Sequence, residues 1–236
     1  MSASRRRNAS RRAQSAPPPP GNSDPWRTEG SFGYAAQSRT EGPSGSGAVG
    51  GTGPCIALLE LASIAAGFET ADALRKEAAV QILRARAVSP GKFVILFTGS
   101  VEDTASAHRR GLEIGADTLI DSLFIPNVEP TLLALMRGGR PNGTPVLDAV
   151  GIIETLSVAS TVRAADIAAK TASLQLIDVQ LAVGIGGKSY VTFTGDVADV
   201  TAAVEAGAAD AERAGLLVRR VVIPRPHVDM AGVLGT

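Results

Sequence analysis

The chain carries one pattern twice. Residues 55–85, CIALLELASIAAGFETADALRKEAAVQILRA, lie over residues 149–179, AVGIIETLSVASTVRAADIAAKTASLQLIDV, at an offset of 94. The two segments share Glu60/Glu154, Ser63/Ser157, Ala71/Ala165, Asp72/Asp166, Lys76/Lys170 and Gln81/Gln175. Further on, GKFVILFTGSVED matches GKSYVTFTGDVAD at an offset of 96, and LFIP matches VVIP at 98. The offset grows in small steps, so the length changes fall in loops. A period near 95 residues is too long for a solenoid repeat and marks a duplicated whole domain. Two domains are predicted, 54–137 and 146–236, joined by the linker GGRPNGTP at 138–145.

Each copy alternates the same elements. Cys55–Leu61 and 150–155 are apolar runs with one embedded glutamate, which suits strands buried on both faces. Ser63 and Ser157 are placed to cap the alanine-rich helices 64–79 and 158–173. Strands are predicted at 81–88 and 175–183, then at 93–98 and 189–194, followed by helices 101–115 and 197–215. Last strands fall at 118–125 and 216–223, stopped by Pro126 and Pro224, each with a short helix to follow. The order β-α-β-β-α-β predicts an α+β fold of two tandem ferredoxin-like domains, in which two helices cover one face of an antiparallel sheet.

Residues 1–53 read differently. Twenty-four of them are Gly, Pro or Ser, and seven arginines stand against three acids. Such a composition buries too little apolar surface to offset the entropy of ordering, so a disordered arm is predicted. Its arginine-rich start resembles a transit peptide only superficially, because Pro17 to Pro20 interrupts any amphipathic helix. The whole chain balances 23 basic against 23 acidic residues, which does not fit a strongly basic nucleic-acid binder. No apolar run nears the ~20 residues needed to span a bilayer. A soluble, intracellular protein is therefore expected, without membrane or nucleic-acid partners.

Catalytic inventory is thin. Cys55 is the one cysteine and starts an apolar strand, where an inert core role is expected. His108 sits beside Arg109 and Arg110 on a predicted helix and reads as part of a solvated face, while His227 falls in a turn where a structural hydrogen bond is expected. Glu60 and Glu154 have no nucleophile near them in sequence, so no enzyme is predicted. The loop Gly184-Ile185-Gly186-Gly187-Lys188-Ser189 invites comparison with a phosphate grip, but Ala182 stands where the first P-loop glycine belongs. The run SYVTFT, which begins at Ser189, alternates as a strand rather than opening a helix. The loop reads as a hairpin turn whose counterpart in the first copy is Ser89-Pro90-Gly91-Lys92; a ferredoxin-like protein binding a phosphorylated ligand at Gly184–Ser189 stays open as the alternative.

The segments VGIIETLSVASTVRAADIAAKTASLQLI, GIGGKSYVTFTGDVADVTAAVEAGAADAERAGLL and VVIPRPH, in order and echoed in the first copy, resemble the bacterial microcompartment shell-protein domain. The resemblance covers nearly everything from residue 54 onward and is to the tandem-domain trimeric shell proteins of the propanediol-utilisation type. It implies a structural protein of the microcompartment shell whose three chains form a pseudohexagonal tile. Ser89, Pro90 and Gly91 would alternate with Gly184, Ile185, Gly186 and Gly187 around a central pore for small metabolites. Lys92 and Lys188 would flank the ring and bias it toward anions. The resemblance also implies tile-edge contacts through Lys76, Lys170 and Arg225, with Asn127 in the first copy where Arg225 lies in the second. Other shell proteins and encapsulated enzymes are the partners it implies. Some relatives hold an iron–sulfur cluster through a cysteine in the first-copy loop. Ser89 stands there in this chain, a poor ligand beside a thiolate, so no cluster or other cofactor is expected.

Overall fold

A computed structural model of the chain describes residues 54–139 and 147–234. The expected arm and residues 140–145 of the expected linker lie outside the described residues.

The first copy runs β1 (Cys55–Leu61), α1 (Ile64–Glu77), β2 (Gln81–Val88), β3 (Lys92–Gly99), α2 (Val101–Gly115), a single 3-10 turn, β4 (Leu119–Ile125) and α3 (Pro130–Met136). The second runs β5 (Ala149–Thr155), α4 (Val158–Thr171), β6 (Gln175–Leu181), β7 (Ser189–Gly195), α5 (Val197–Arg213), β8 (Leu217–Pro224) and α6 (Met230–Val233). The sheets are antiparallel, in orders β2-β3-β1-β4 and β6-β7-β5-β8. This is the predicted ferredoxin-like arrangement, found twice.

Ser63 and Ser157 cap α1 and α4 as expected, their hydroxyls accepting from the N–H groups of Ala66 and Ser160. Both helices stop earlier than the alanine run suggests. Ala78 and Ala172 turn to extended backbone, which in the first copy carries Val80 into the core. Glycines set how closely layers approach. A Cβ on Gly207 of α5 would meet the Ala164 carbonyl oxygen of α4 at 2.7 Å, a backbone contact that no side-chain rotation relieves.

In each sheet the pleat sorts side chains to two faces. In the first copy Ala57, Leu59, Leu61, Phe93, Ile95 and Phe97 turn toward α1 and α2 and form their own core cluster. Ile56, Leu58, Val94, Leu96, Leu123 and Ile125 turn the other way and merge into a larger cluster with Val158 and Val162 of α4. The first sheet is thus covered on its second face by a helix of the second copy. Helix α3 completes the join: Leu132, Leu133 and Met136 are buried, and the helix packs on β6 and α4.

His108 corrects an expectation. Thr104, Ala107, Gly111 and Gly115 form the buried stripe of α2, and His108 falls on its flank, its ring 5.9 Å from that of Phe124. Its Nε2 is buried without a hydrogen-bond partner, and burial holds the imidazole below its ordinary value. Cys55 is buried as expected, its thiol pushed up by burial and partly drawn back by Thr104. His227 accepts a hydrogen bond from the Asp229 N–H at 3.3 Å, the structural role expected of it.

Candidate functional site

Two features of the folded chain bear on function: the pair of hairpin tips and the seam between the copies. Between β6 and β7, Gly184, Gly186 and Gly187 all have positive φ, which glycine adopts without steric cost. Between β2 and β3, Gly91 does the same work at φ +99°. The structure brings the two tips together. A Cβ on Gly187 would sit 2.8 Å from Pro90 Cδ and 3.0 Å from the Ser89 carbonyl oxygen. Gly184, Gly186 and Gly91 face open space, with Ser89 and Pro90 exposed and Ile185 half-buried.

The lysines beside the tips are not free charges, which corrects the anion bias expected of them. Lys92 Nζ donates to Glu60 Oε1 at 2.8 Å, to the Leu156 carbonyl at 3.3 Å and to that of Gly187 at 3.5 Å. Glu60 is fully buried in β1, and a buried carboxylate needs a cation. Lys188 pairs with Glu154 Oε1 at 2.6 Å in the same way. Ser189, the hydroxyl residue of the supposed phosphate grip, opens β7 with its Oγ buried, so the loop leads into a strand and not into a helix N-terminus.

Glu60 also builds the seam. Its Oε2 accepts the Val158 N–H of α4 at 2.7 Å, where the unsatisfied amides of a helix N-terminus favour an anion. Ser157 donates its hydroxyl to Asp121 of β4. Arg163 reaches the Ser122 carbonyl at 2.9 Å and Asp210 at 3.1 Å. Asp166 accepts the Glu129 N–H at 2.8 Å and Lys170 Nζ at 2.7 Å, and the same ammonium donates to the Asn127 carbonyl. Lys170 therefore spans the seam, its side chain 41% exposed.

Every one of these groups has a counterpart in the other copy, and there the seam is bare. Val158 and Val162 are wholly buried, whereas their counterparts Ile64 and Phe68 on α1 are 41% and 57% exposed. Glu154 is 28% exposed where Glu60 is 0%. Lys76 of α1 holds only Asp72, with both side chains exposed, and Arg225 is exposed at φ +48°. The structure brings Ser89, Pro90 and Gly187 together but leaves Lys76, Lys170 and Arg225 apart within one chain.

Sequence reasoning misses the glutamate–lysine pairs and the seam they anchor. The signal is present: Glu60 with Lys92 and Glu154 with Lys188 recur at matching places, and carboxylates inside apolar strands demand a cation.

Cys55 pairs with Gly99 at the far end of β3, about 25 Å from the hairpin tip by a strand rise of ~3.3 Å per residue. Among the described residues no three His, Cys, Asp or Glu side chains group as metal ligands, and no helix is long and apolar enough to cross a membrane.

Comparison with known proteins agrees with the geometry. The BMC domain family matches twice, over residues 55–128 and 149–226. The bacterial microcompartment shell protein PduT of Citrobacter freundii is 43% identical over 175 residues, covering 74% of this chain and 94% of PduT. The shell protein EutM of Salmonella typhimurium is 42% identical over 87 residues, covering 37% of this chain but 88% of EutM, as one copy of a duplicated domain would. A crystal structure of a microcompartment protein from Desulfitobacterium hafniense DCB superposes with a TM-score of 0.69 at 42% identity, over 76% of this chain and 98% of that one. With two such domains in one chain, the protein belongs to the tandem-domain bacterial microcompartment shell proteins.

Proposed function

We propose that three chains close head to tail into a pseudohexagonal shell tile, with six hairpin tips around a central pore that passes small polar metabolites. The observation that carries this reading is the contrast between a filled seam and an empty one. Within a chain, α4 covers the second face of the first sheet. Helix α1 bears the same face, with Ile64 and Phe68 exposed, and the second sheet offers the same receiving surface around Glu154. A contact between two different surfaces of one chain is heterologous, and it closes into a ring where the rotation allows. Repeating the internal seam would hand the Ile64 N–H to Glu154 of the next chain. It would also bring Lys76 to the Arg225 carbonyl, as Lys170 meets that of Asn127.

The adjacency of Gly187 to Ser89 and Pro90 supports the pore, because tips that touch within a chain would alternate around the axis of three. With both lysines paired, selectivity falls to backbone amides and to Ser89 rather than to free cations. A purified protein without iron or colour is expected. Lys76, Lys170 and Arg225, exposed at or beside the seams, are offered to neighbouring tiles at the edge.

Phe68→Asp tests the reading. The side chain is more than half exposed in one chain, so folding should hold while assembly fails and particles the mass of one chain replace larger ones. An assembly unaffected by this charge at the seam would count against it.

A further inference from the structure

The filled and empty seams share Glu60/Glu154, Lys92/Lys188, Asp166/Asp72 and Lys170/Lys76, but at three further places the charges are exchanged. Three pairs of equivalent positions carry the exchange. On the helix that covers the sheet, Arg163 of α4 corresponds to Glu69 of α1 at the offset of 94. On the edge strand beneath it, Asp121 of β4 corresponds to Arg219 of β8; the first faces Glu60 across the ladder and the second faces Glu154. On the hairpin strands, Arg84 of β2 corresponds to Asp178 of β6, facing Leu96 and Thr192 in matching register.

In the filled seam the roles are visible. Arg163 has its ion pair with Asp210 of its own copy and, across the seam, bonds the carbonyl of the residue next to Asp121, while Asp121 accepts the hydroxyl of the helix cap, Ser157. Asp178 acts on Arg84 from the other copy, opposing the downward pull of burial and of Arg86 on that guanidinium. In the empty seam the complementary groups wait: Glu69 and Arg219 are both exposed and make no ion pair among the described residues.

We infer that this exchange is a recognition code: the open seam, formed by Glu69 of one chain over Arg219 of the next, accepts a second copy of this chain and rejects mismatched domains. The inference rests on the trimeric reading and adds what selects the partner. A helix of the α1 kind placed on a sheet of the β4 kind sets Glu69 against Asp121. A helix of the α4 kind on β8 sets Arg163 against Arg219. Only the alternating arrangement sets opposite signs beside each other at every seam, and like charges brought together at an interface are a means of exclusion. The Ser63 hydroxyl, which accepts from Ala66 N–H, retains a lone pair for Arg219, whereas Ser157 must donate to Asp121. The seam thus reverses polarity without losing a bond.

The test is a charge exchange in the full-length chain, read as the concentration at which the trimer half dissociates in sedimentation. Glu69→Arg and Arg219→Glu should each raise that concentration about tenfold, above the effect of an isolated surface pair because three seams act together. The double variant E69R/R219E should return to within about threefold of the unmodified chain. Single variants that assemble like the unmodified chain, or a double variant as weak as both singles combined, would overturn the code while leaving the trimer intact. An unmodified chain that never assembles would overturn the trimeric reading and the code with it. Both side chains are exposed, so unchanged melting of dilute singles separates assembly from folding.

Discussion

Lys92 is the counter-ion of a carboxylate that solvent does not reach. Removing it by Lys92→Ala leaves Glu60 charged and buried, and breaking such a pair costs about 3–5 kcal/mol. Thermal melting of the variant should therefore drop by ten degrees or more. The equivalent Lys188→Ala touches a pair that is partly exposed, 45% and 28%, and should cost about 1 kcal/mol or less in a single chain. Equal losses from the two variants, measured at dilutions where the chain is monomeric, would contradict the assignment of filled and empty seams. His108 gives a second residue-scale expectation. Burial holds its imidazole below the ordinary 6.5, so on acidification the unfolded chain takes up a proton that the folded chain refuses. Its contribution is lost as pH falls below about 6.5, with stability rising again toward neutrality. His108→Val, which copies Val204 at the equivalent place in α5, should flatten melting temperature between pH 5 and pH 7.5 and raise it most at the acid end.

At the scale of elements, α4 and α1 share a serine cap, their length and the Ala-Asp and Lys positions of their faces but live in different surroundings. Helix α4 presses on the first sheet on one side and on α5 on the other, with Gly207 letting the two backbones approach. Gly207→Ala should thus destabilise by about 1–3 kcal/mol, measured by denaturant titration, because the Ala164 carbonyl has no freedom to yield. Most of this architecture is legible in the sequence. Repetition at an offset of 94 to 98, strands of apolar runs around Glu60 and Glu154, and serines before alanine-rich helices mark the main elements and their order. Helix ends are less legible, since Ala78-Ala79 carries no stop signal and the turn is made where Val80 must be buried. His108 misleads because adjacent arginines mark one side of a helix, and the residue lies at the border of the other. The hairpin declares itself as a turn through SYVTFT. That its lysine is held by Glu154 shows only in the recurrence of Glu60 with Lys92, because Glu154 lies far from Lys188 in sequence and is brought near it by pairing opposite Tyr190.

The whole molecule is a structural shell protein rather than an enzyme, and its chemistry is that of surfaces meeting. One copy of the domain has its seam filled by the other, and the remaining helix face and sheet face are unlike each other and complementary. On the trimeric reading, a chain of this kind would be half a contact short at each end. The proposed pore would not exist in a single chain; in the proposed trimer Ser89, Pro90 and Gly187 of each chain would contribute one third of the rim. The most direct measurement is the mass of the full-length protein in solution by light scattering at several concentrations. Three chains of 24.1 kDa, about 72 kDa, are expected, together with larger sheets at high concentration. A single 24.1 kDa species at every concentration would contradict the trimeric tile.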